Sequence, residues 1–268
     1  MSLALIDGDY IAFRAAAGAA QSFFEGDEPL GDPEGAAQAA VDLIEIWRRL
    51  AGCKDVLVTF TGLTNYRKIV LPSYKAHRTK GKPPGYWFTV DAVRERFPTV
   101  LIEGLEGDDV LGILATTDKY ADRSIILSPD KDMRTIPTRV MNPAKDTKPL
   151  VVTEAEANHW WMTQTLIGDP TDGYKGIPRF GAVAAGKLIG LKPGTAPVSA
   201  LWAKVVGAYF KANLTERDAL QQARCARILR REDYDKATKE ILLWHPMTPE
   251  RLSLATVFAA LTPVTSPA

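Results

Sequence analysis

Acidic residues recur along the chain in short groups, each of which follows an apolar run or a turn. The groups are IDGD near the start, then LEGDDVLG, SPDKDM and GDPTDG. Carboxylates gathered in one small site need protons or divalent cations to offset their repulsion, and oxygen-only ligands favour Mg²⁺ or Mn²⁺ over zinc. Two such ions about 4 Å apart can promote phosphodiester hydrolysis. The candidate metal ligands are Asp7, Glu106, Asp108, Asp109, Asp130, Asp132, Asp169 and Asp172.

Apolar runs in the first half of the chain predict the strands that would position these acids. LALID, DVLVTF, TVLIEG and SIILSPD are apolar or β-branched over most of their length, which is typical of strands buried on both faces of a parallel sheet. Helical patterns lie between them, so we predict an α/β fold with a central, mostly parallel sheet flanked by helices. The carboxyl ends of parallel strands share one edge, where the first three acidic groups would converge and the fourth would close the site.

The length of 268 residues suggests one large domain or a domain with a smaller companion. The strand pattern fades near residue 150. We therefore predict that residues 1–150 form an α/β nuclease-like domain and that residues 151–268 form a helical part.

Helix signals in the second part are local and specific. Thr153 and Glu156 have the spacing of a capping box, which predicts a helix over about 154–167. A short helix should end before Gly190. From about Thr215, the sequence ERDALQQARCARILRRED predicts one basic amphipathic helix.

A basic segment with interleaved aromatic rings follows the second strand. No acidic residue interrupts positions 65–82, and GYWF follows at 85–88. Cations for phosphates beside rings that stack on bases fit single-stranded nucleic acid, but a solvated loop before an ordinary amphipathic helix explains the pattern equally well. The residues concerned are Arg67, Lys68, Lys75, Arg78, Lys80, Lys82, Tyr86, Trp87 and Phe88.

The composition excludes several classes of protein. Hydrophobic residues make up 46% of the chain and charged residues 24%, which is typical of a globular protein. Two cysteines without metal-ligand spacing exclude a disulfide scaffold and favour a reducing, cytoplasmic setting. The sequence has no apolar stretch of membrane-spanning length and no basic leader at its start, so we expect neither a membrane span nor secretion. The net charge of +1 means that any nucleic-acid binding depends on local charge.

Two alternatives to a metal nuclease follow from the same acids. Aspartate after a strand is often a turn residue or a helix N-cap, with no chemical role. Asp7 and Asp9 also have the DxD spacing of haloacid-dehalogenase-type phosphatases. Ile11 departs from that pattern, and the later acidic groups have no role in such a phosphatase.

Taken together and in order, IDGDYIAFRA, YKAHR, LEGDDVLG, SPDKDM and GDPTDGYKGIPRFG resemble the 5′-nuclease superfamily of flap endonucleases and polymerase 5′-nuclease domains. NYRK, KPPGYW, ARILRRED and EILLWHP make the chain more similar still to the 5′-to-3′ exonucleases of short-tailed phages of the T-seven type. The resemblance implies a PIN-like domain, with a helix–three-turn–helix module at about 154–190. It also implies Mg²⁺-dependent exonuclease and flap endonuclease activity on DNA with 5′ ends, nicks or flaps.

The resemblance also implies roles for individual residues. The eight acids named above would bind two metal ions, Lys75 and Arg78 would act at the scissile phosphate, and the Tyr74 ring would stack on a base. Asp9 would have a turn or supporting role. We expect a monomer in the host cytoplasm, if the protein is encoded by a phage, and leave open whether RNA in RNA–DNA hybrids is cut. The DNA-binding candidates are Tyr74, Arg67, Lys80, Lys82, Lys175, Gly176, Arg179, Gly181 and Lys187.

The chain departs from the family pattern at two positions. Gly62 stands where the family usually has an aspartate, so one metal ion would have fewer protein ligands. This loss motivates a third hypothesis, a DNA-end-binding protein with an impaired metal site. Arg179 replaces a glycine of the glycine-rich turn, which counts against the monovalent cation that the family binds there. If that position needs a positive φ, arginine costs about 1 kcal/mol or more.

Overall fold

The computed structural model describes residues 2–20, 24–25, 28–29, 31–246 and 252–254. These residues form two compact units that are discontinuous in sequence. The first unit contains the described residues up to Thr64, together with Thr79–Met133 and Thr138–Val151. The second unit contains Asn65–Arg78, Arg134–Pro137 and the described residues from Val152 onward.

The strands are short, and four of them, Leu3–Asp7, Asp55–Thr61, Thr99–Ile102 and Ser124–Leu127, lie where the apolar runs predicted them. In chain order they are β1 (Leu3–Asp7), β2 (Phe24–Glu25), β3 (Glu28–Pro29), β4 (Asp55–Thr61), β5 (Thr99–Ile102), β6 (Ser124–Leu127), β7 (Arg139–Met141), β8 (Leu150–Val151), β9 (Tyr234–Asp235), β10 (Glu240–Leu243) and β11 (Leu252–Ser253).

Helices lie between the strands of the first unit and dominate the second. In chain order they are α1 (Gly8–Ala20), α2 (Pro33–Leu50), α3 (Arg67–Val70), α4 (Tyr86–Arg96), α5 (Gly107–Thr116), α6 (Glu154–Ile167), α7 (Ala182–Ile189), α8 (Val198–Lys211) and α9 (Glu216–Ala226).

The first unit is built on a six-stranded sheet of order β5-β4-β1-β6-β7-β8. All neighbouring strands are parallel except the β7–β8 pair. The central strand β1 is buried from Leu3 to Ile6 and ends at the half-buried Asp7. The predicted parallel sheet is therefore present, and its central strand delivers an aspartate to the carboxyl edge.

Apolar packing fixes the sheet against the helices of the first unit. Helices α1, α2 and α4 contact one another and share a core with alternate residues of β1 and β4, such as Ile6 and Val58. Burial of these apolar side chains is the main driving force that holds the strands in register. Helix α5 contacts β1, β4, β5 and β6. Its first turn therefore lies close to the strand ends.

The second unit is held together by α6. This helix begins after Thr153 and ends at Ile167, and its capping box is present as predicted. Its Trp161 Nε1 donates to the Ala223 carbonyl of α9 at 2.7 Å. Tyr209 of α8 donates to the Thr165 carbonyl at 2.6 Å, so both neighbouring helices are bonded to α6 through buried groups.

The basic segment after Thr215 is not one helix, and the prediction was wrong there. Helix α9 ends at Ala226, and Arg227 takes an extended conformation. The Arg227 guanidinium is buried, donates to Asp233 at 2.8 Å and lies 4.7 Å from the centroid of the Trp161 ring. Asp233 also accepts the backbone N–H of Arg230. These local bonds compete with helix continuation, and Arg227 and Arg230 are buried.

None of the helices in the described ranges is long and apolar enough to cross a membrane.

The loop between α6 and α7 depends on two glycines. Gly168 and Gly176 have φ values of +72° and +59°. A Cβ on either residue would collide with the backbone of the segment that carries the other. This close approach gives Gly176, a predicted DNA-binding residue, a conformational role.

We predict that Gly176→Ala lowers the free energy of unfolding by about 2 kcal/mol or more, because it adds a left-handed alanine and a backbone clash. Gly181→Ala is the matched control, since its Cβ would meet no atom within 4 Å. That variant should change stability by less than about 1 kcal/mol. Urea denaturation checks both, and equal losses would contradict the role of the close approach.

Candidate active site

Asp7 lies where β1 ends and α1 begins. Its Oδ1 accepts the backbone N–H groups of Asp9 at 3.0 Å and Tyr10 at 3.2 Å. The carboxylate therefore sits at the positive end of α1, where unpaired N–H groups stabilise an anion. Asp7 points to the carboxyl edge of the sheet because the strand ends there.

Asp9 joins the ends of three elements and has a larger role than its sequence pattern indicated. Its Oδ2 accepts the Thr61 N–H at the end of β4 at 2.7 Å. Its Oδ1 accepts the Tyr86 hydroxyl at the start of α4 at 2.5 Å. Burial, and then the charge of Asp9, raise the pKa of the Tyr86 hydroxyl, so this hydroxyl stays protonated and donates. No local sequence pattern indicates this contact, because its partners are 77 residues apart in the chain.

Further predicted metal ligands lie at the start of α5. Glu106 and Asp109 form a capping box, with the Glu106 N–H donating to Asp109 Oδ2 at 3.2 Å. A Cβ at Gly107 would lie 3.3 Å from Asp9 Oδ2 and 3.5 Å from Asp7 Oδ1. The Asp7 and Asp9 carboxylates therefore both face the start of α5. Glu106 and Asp109 therefore cap α5 and are also predicted metal ligands.

Asp130 and Asp132 follow β6, the strand on the other side of β1. The Asp132 N–H donates to Asp130 Oδ1 at 2.8 Å, and the Asp130 N–H donates to the Ser128 hydroxyl at 3.1 Å. Asp130 is exposed and Asp132 is half-buried. These bonds hold a tight turn that keeps the Asp130 charge close enough to affect Asp7.

At the carboxyl edge of the sheet, the charged form of the Asp7 carboxyl is disfavoured. Burial, the charge of Asp9 and, more weakly, the charge of Asp130 raise the pKa of the Asp7 carboxyl to about 7, although its two backbone hydrogen bonds oppose the shift. Within the described ranges, no three Asp, Glu, His or Cys side chains are arranged as a metal-binding group. The full set of eight ligands therefore stays a prediction.

In the second unit, the Asp172 carboxylate lies close to Lys75 and Arg78, the two basic side chains predicted to act in catalysis. Its carboxylate accepts the Tyr74 hydroxyl at 3.0 Å, pairs with Arg78 at 2.8 Å and lies 3.6 Å from Lys75 Nζ. The Lys75 N–H donates to the Asp172 carbonyl at 2.7 Å, and Lys75 has a φ of 52°. Strained backbone of this kind clusters at functional sites. Asp169 is buried and accepts the Thr171 N–H at 2.8 Å in the same turn.

Three aromatic or basic candidates are buried, which corrects their predicted contact with DNA. Arg67 donates to the carbonyls of Cys225 at 3.0 Å and Arg227 at 2.7 Å, so its guanidinium is used inside the second unit. The rings of Tyr74 and Tyr86 are 2% and 1% exposed, and neither can stack on a base in this conformation. Their hydroxyls position Asp172 and Asp9 instead.

The other DNA-binding candidates lie at the surface, with the exception of Gly176. Arg179 has a φ of 61°, so the turn does require the left-handed conformation that a glycine would adopt more readily. The exposed candidates are Lys80, Lys82, Lys175, Arg179, Gly181 and Lys187. Their contact with DNA stays a prediction.

Gly62 is packed against the turn that follows β5. Its N–H donates to the Leu105 carbonyl at 2.9 Å, and a Cβ would lie 3.0 Å from the Ile102 carbonyl oxygen. A side chain therefore has little room at this position. At this end of β4, the Asp9 carboxylate accepts the Thr61 N–H, and the Glu103 carboxylate accepts the N–H groups of Leu63 and Thr64.

Known proteins share both the sequence motifs and this fold. The sequence pattern of the family described as 5′-3′ exonuclease, N-terminal resolvase-like domain, matches residues 2–160. The chain belongs to this 5′-3′ exonuclease family. The membership that the ordered motifs predicted is therefore confirmed.

Relatives of this 5′-3′ exonuclease cover nearly the whole chain. This chain is 34% identical to the exonuclease of Escherichia phage T7, over 90% of this chain and 93% of that protein. It is also 34% identical to the exodeoxyribonuclease of Enterobacteria phage T3, over 90% of this chain and 92% of that protein.

Solved structures share the fold at low sequence identity. The D15 protein of phage T5, co-crystallised with metal ions, matches with a TM-score of 0.61 at 16% identity, over 85% of this chain and 90% of that one. A complex of the T5 flap endonuclease with DNA and metal ions gives a TM-score of 0.59 at 16% identity, over 84% and 91% of the two chains. The predicted PIN-like α/β fold is confirmed, and the helix–three-turn–helix module stays a prediction.

The raised pKa of Asp7 makes the stability of the 5′-3′ exonuclease depend on pH in EDTA. Because the folded-state pKa of about 7 exceeds the ordinary 3.8, the contribution of this carboxyl is present below pH 3.8 and is lost as pH rises through 7. Asp7→Asn keeps an oxygen acceptor for both backbone N–H groups and carries no charge. We predict that its gain in unfolding free energy over the wild type is larger at pH 8 than at pH 5.

Urea denaturation in EDTA at the two pH values measures this difference. Asp122→Asn is the control, since that carboxylate is exposed in the same unit. A gain for Asp7→Asn that is the same at both pH values would show that the Asp7 carboxyl is ionised throughout this range.

Proposed function

We propose that the chain is a divalent-metal-dependent 5′-to-3′ exonuclease with flap endonuclease activity on DNA 5′ ends, nicks and flaps. Family membership supports the activity. The observation that carries the metal dependence is the placement of Asp7 beside Asp9 and Asp130 at the carboxyl edge of the sheet, where burial and like charge raise its pKa to about 7. A bound cation removes this unfavourable interaction.

The donor set fits Mg²⁺ or Mn²⁺, and we propose two ions. Every candidate ligand is a carboxylate, and hard cations prefer oxygen. Asp7 and Asp130 are the ligands that the structure supports best, and the remaining six acids stay predicted ligands. When bound, such ions activate water and stabilise the oxygen that leaves phosphorus.

The chain's own residues hold and orient the reacting groups. Asp9 fixes the end of β4 and the start of α4 around Asp7, through Thr61 and Tyr86. Lys75 and Arg78, which pair with Asp172 in this structure, would turn to the phosphate and offset the charge that develops on it. The left-handed backbone at Lys75 supports a functional role, because strained conformations of this kind cluster at functional sites.

The alternatives are less well supported. A haloacid-dehalogenase-type phosphatase would use Asp9 as an acid, yet both Asp9 oxygens accept hydrogen bonds here. Hydrolysis of a small phosphomonoester, compared with that of 5′-labelled duplex DNA, separates these two enzymes. A DNA-end-binding protein without activity would bind DNA and cleave none at any Mg²⁺ or Mn²⁺ concentration. We propose action as a monomer in the host cytoplasm and leave RNA–DNA hybrids to direct assay.

Asp130→Asn tests the proposed mechanism. The amide keeps the oxygen that accepts the Asp132 N–H but loses the charge that binds a cation. We predict that single-turnover cleavage of a 5′-labelled flap in Mg²⁺ falls by a factor on the order of 100 or more, while DNA affinity in EDTA changes little. Asp122→Asn should cleave like the wild type. Undiminished cleavage by Asp130→Asn would remove this acid from the metal site.

A further inference from the structure

Arg67 is a buried charged residue that the proposed chemistry does not use. It begins α3, the short helix that precedes Lys75 in the chain, and is 2% exposed. Its Nε donates to the Cys225 carbonyl at 3.0 Å, and its Nη2 donates to the Arg227 carbonyl at 2.7 Å. These carbonyls lie at the end of α9, where unpaired C=O groups attract a cation. The guanidinium therefore spans the end of a helix.

The same guanidinium packs against the Tyr74 ring, which is itself buried. The Arg67 Cζ lies 5.7 Å from the centroid of this ring, and the Lys75 Nζ lies 5.0 Å from the same centroid. The Tyr74 hydroxyl donates to the Asp172 carboxylate, which lies 3.6 Å from the Lys75 Nζ. The Tyr74 ring thus connects Arg67 with the Lys75 ammonium group.

Two more hydrogen bonds join the region of α3 to α9. The Tyr66 hydroxyl donates to the Arg224 carbonyl at 3.4 Å, and the Gln221 Nε2 donates to the Val70 carbonyl at 3.2 Å. Helix α3 is therefore docked on α9. The bonds of Arg67 extend this docking to the Tyr74 ring, which comes just before Lys75.

The position of the Lys75 ammonium group matters for its proposed role at the phosphate. Lysine has a flexible four-carbon stem, so its surroundings must fix where its charge lies. The Lys75 side chain is only 18% exposed and lies against Tyr74 and Asp172. A displacement of about 1 Å at a reacting centre is enough to slow a reaction strongly. Whatever holds the Tyr74 ring therefore also affects the chemical step.

We infer that Arg67 is a positioning residue for Lys75. By joining the end of α9 to the Tyr74 ring, it holds the Lys75 ammonium group where this group acts on the phosphate. The inference rests on the proposed function and adds a residue to it. Because the buried Arg67 side chain does not touch DNA, its replacement affects the cleavage rate and spares DNA affinity.

Arg67→Lys tests the inference in the full-length protein. Lysine keeps the charge, but one ammonium group cannot reproduce the planar fork that bonds two carbonyls and packs on a ring. We expect single-turnover cleavage of a saturating 5′-labelled flap in Mg²⁺ to fall about tenfold, while the dissociation constant for this DNA in EDTA changes little. Arg224→Lys is the matched control, since Arg224 is also buried and donates to the Trp244 carbonyl at 3.2 Å. It should change neither quantity.

A double variant separates positioning from a general loss of stability. If Arg67 acts through Lys75, then Arg67→Lys should lower the cleavage rate by less than about twofold in a Lys75→Ala background, because the side chain that it positions is gone. A further loss of about tenfold in that background would overturn the inference. An unchanged rate in Arg67→Lys alone, or an equal loss in Arg224→Lys, would also overturn it.

Backbone hydrogen exchange over residues 71–78, in EDTA and without DNA, provides a readout that does not need cleavage. The Lys75 N–H donates to the Asp172 carbonyl, and we expect it to exchange several-fold faster in Arg67→Lys than in the wild type or Arg224→Lys. If the wild type cleaves no DNA, the proposed function fails, and unchanged exchange would still overturn the inference by itself. The uncharged Arg67→Gln serves in all these measurements if a buried lysine prevents folding.

Discussion

The mutual repulsion of carboxylates at the carboxyl edge of the sheet is the constraint on which the site depends. Asp7 ends the central strand β1, while the end of β4 on one side is bonded to Asp9 and Asp130 follows β6 on the other side. Backbone N–H groups of α1 and β4 and the Tyr86 hydroxyl offset part of the repulsion. The raised pKa of Asp7 shows that the protein alone does not offset all of it. A proton or a bound cation can supply the remaining compensation, so this edge is suited to metal chemistry.

A different balance of charge organises the second unit. There, Asp172 is bonded to Tyr74, Lys75 and Arg78, so its charge is compensated by cations rather than opposed by acids. The tight turns around Gly168 and Gly176 fix the segment that carries this aspartate. The charged groups around Asp7 and those around Asp172 thus have distinct means of stabilisation.

Local signals in the sequence predicted much of this arrangement, and long-range contacts account for what they missed. The apolar runs predicted four strands of the six-stranded sheet, β1, β4, β5 and β6, and the Thr153–Glu156 spacing predicted where α6 begins. Periodicity failed after Ala226, because amphipathic spacing cannot distinguish an exposed arginine from one that is bonded to Asp233. The burial of Arg67, and the bond from Tyr86 to Asp9, likewise depend on partners that are far apart in the chain.

Anomalous diffraction from crystals grown with Mn²⁺ tests the central claim most directly. The account predicts a peak at the carboxyl edge of β1, with carboxylate oxygens of Asp7 and Asp130 within about 2.5 Å of the ion. Saturating Mn²⁺ with no ion on Asp7, and with the Asp7 carboxylate bonded only to Asp9 and Tyr10, would contradict it.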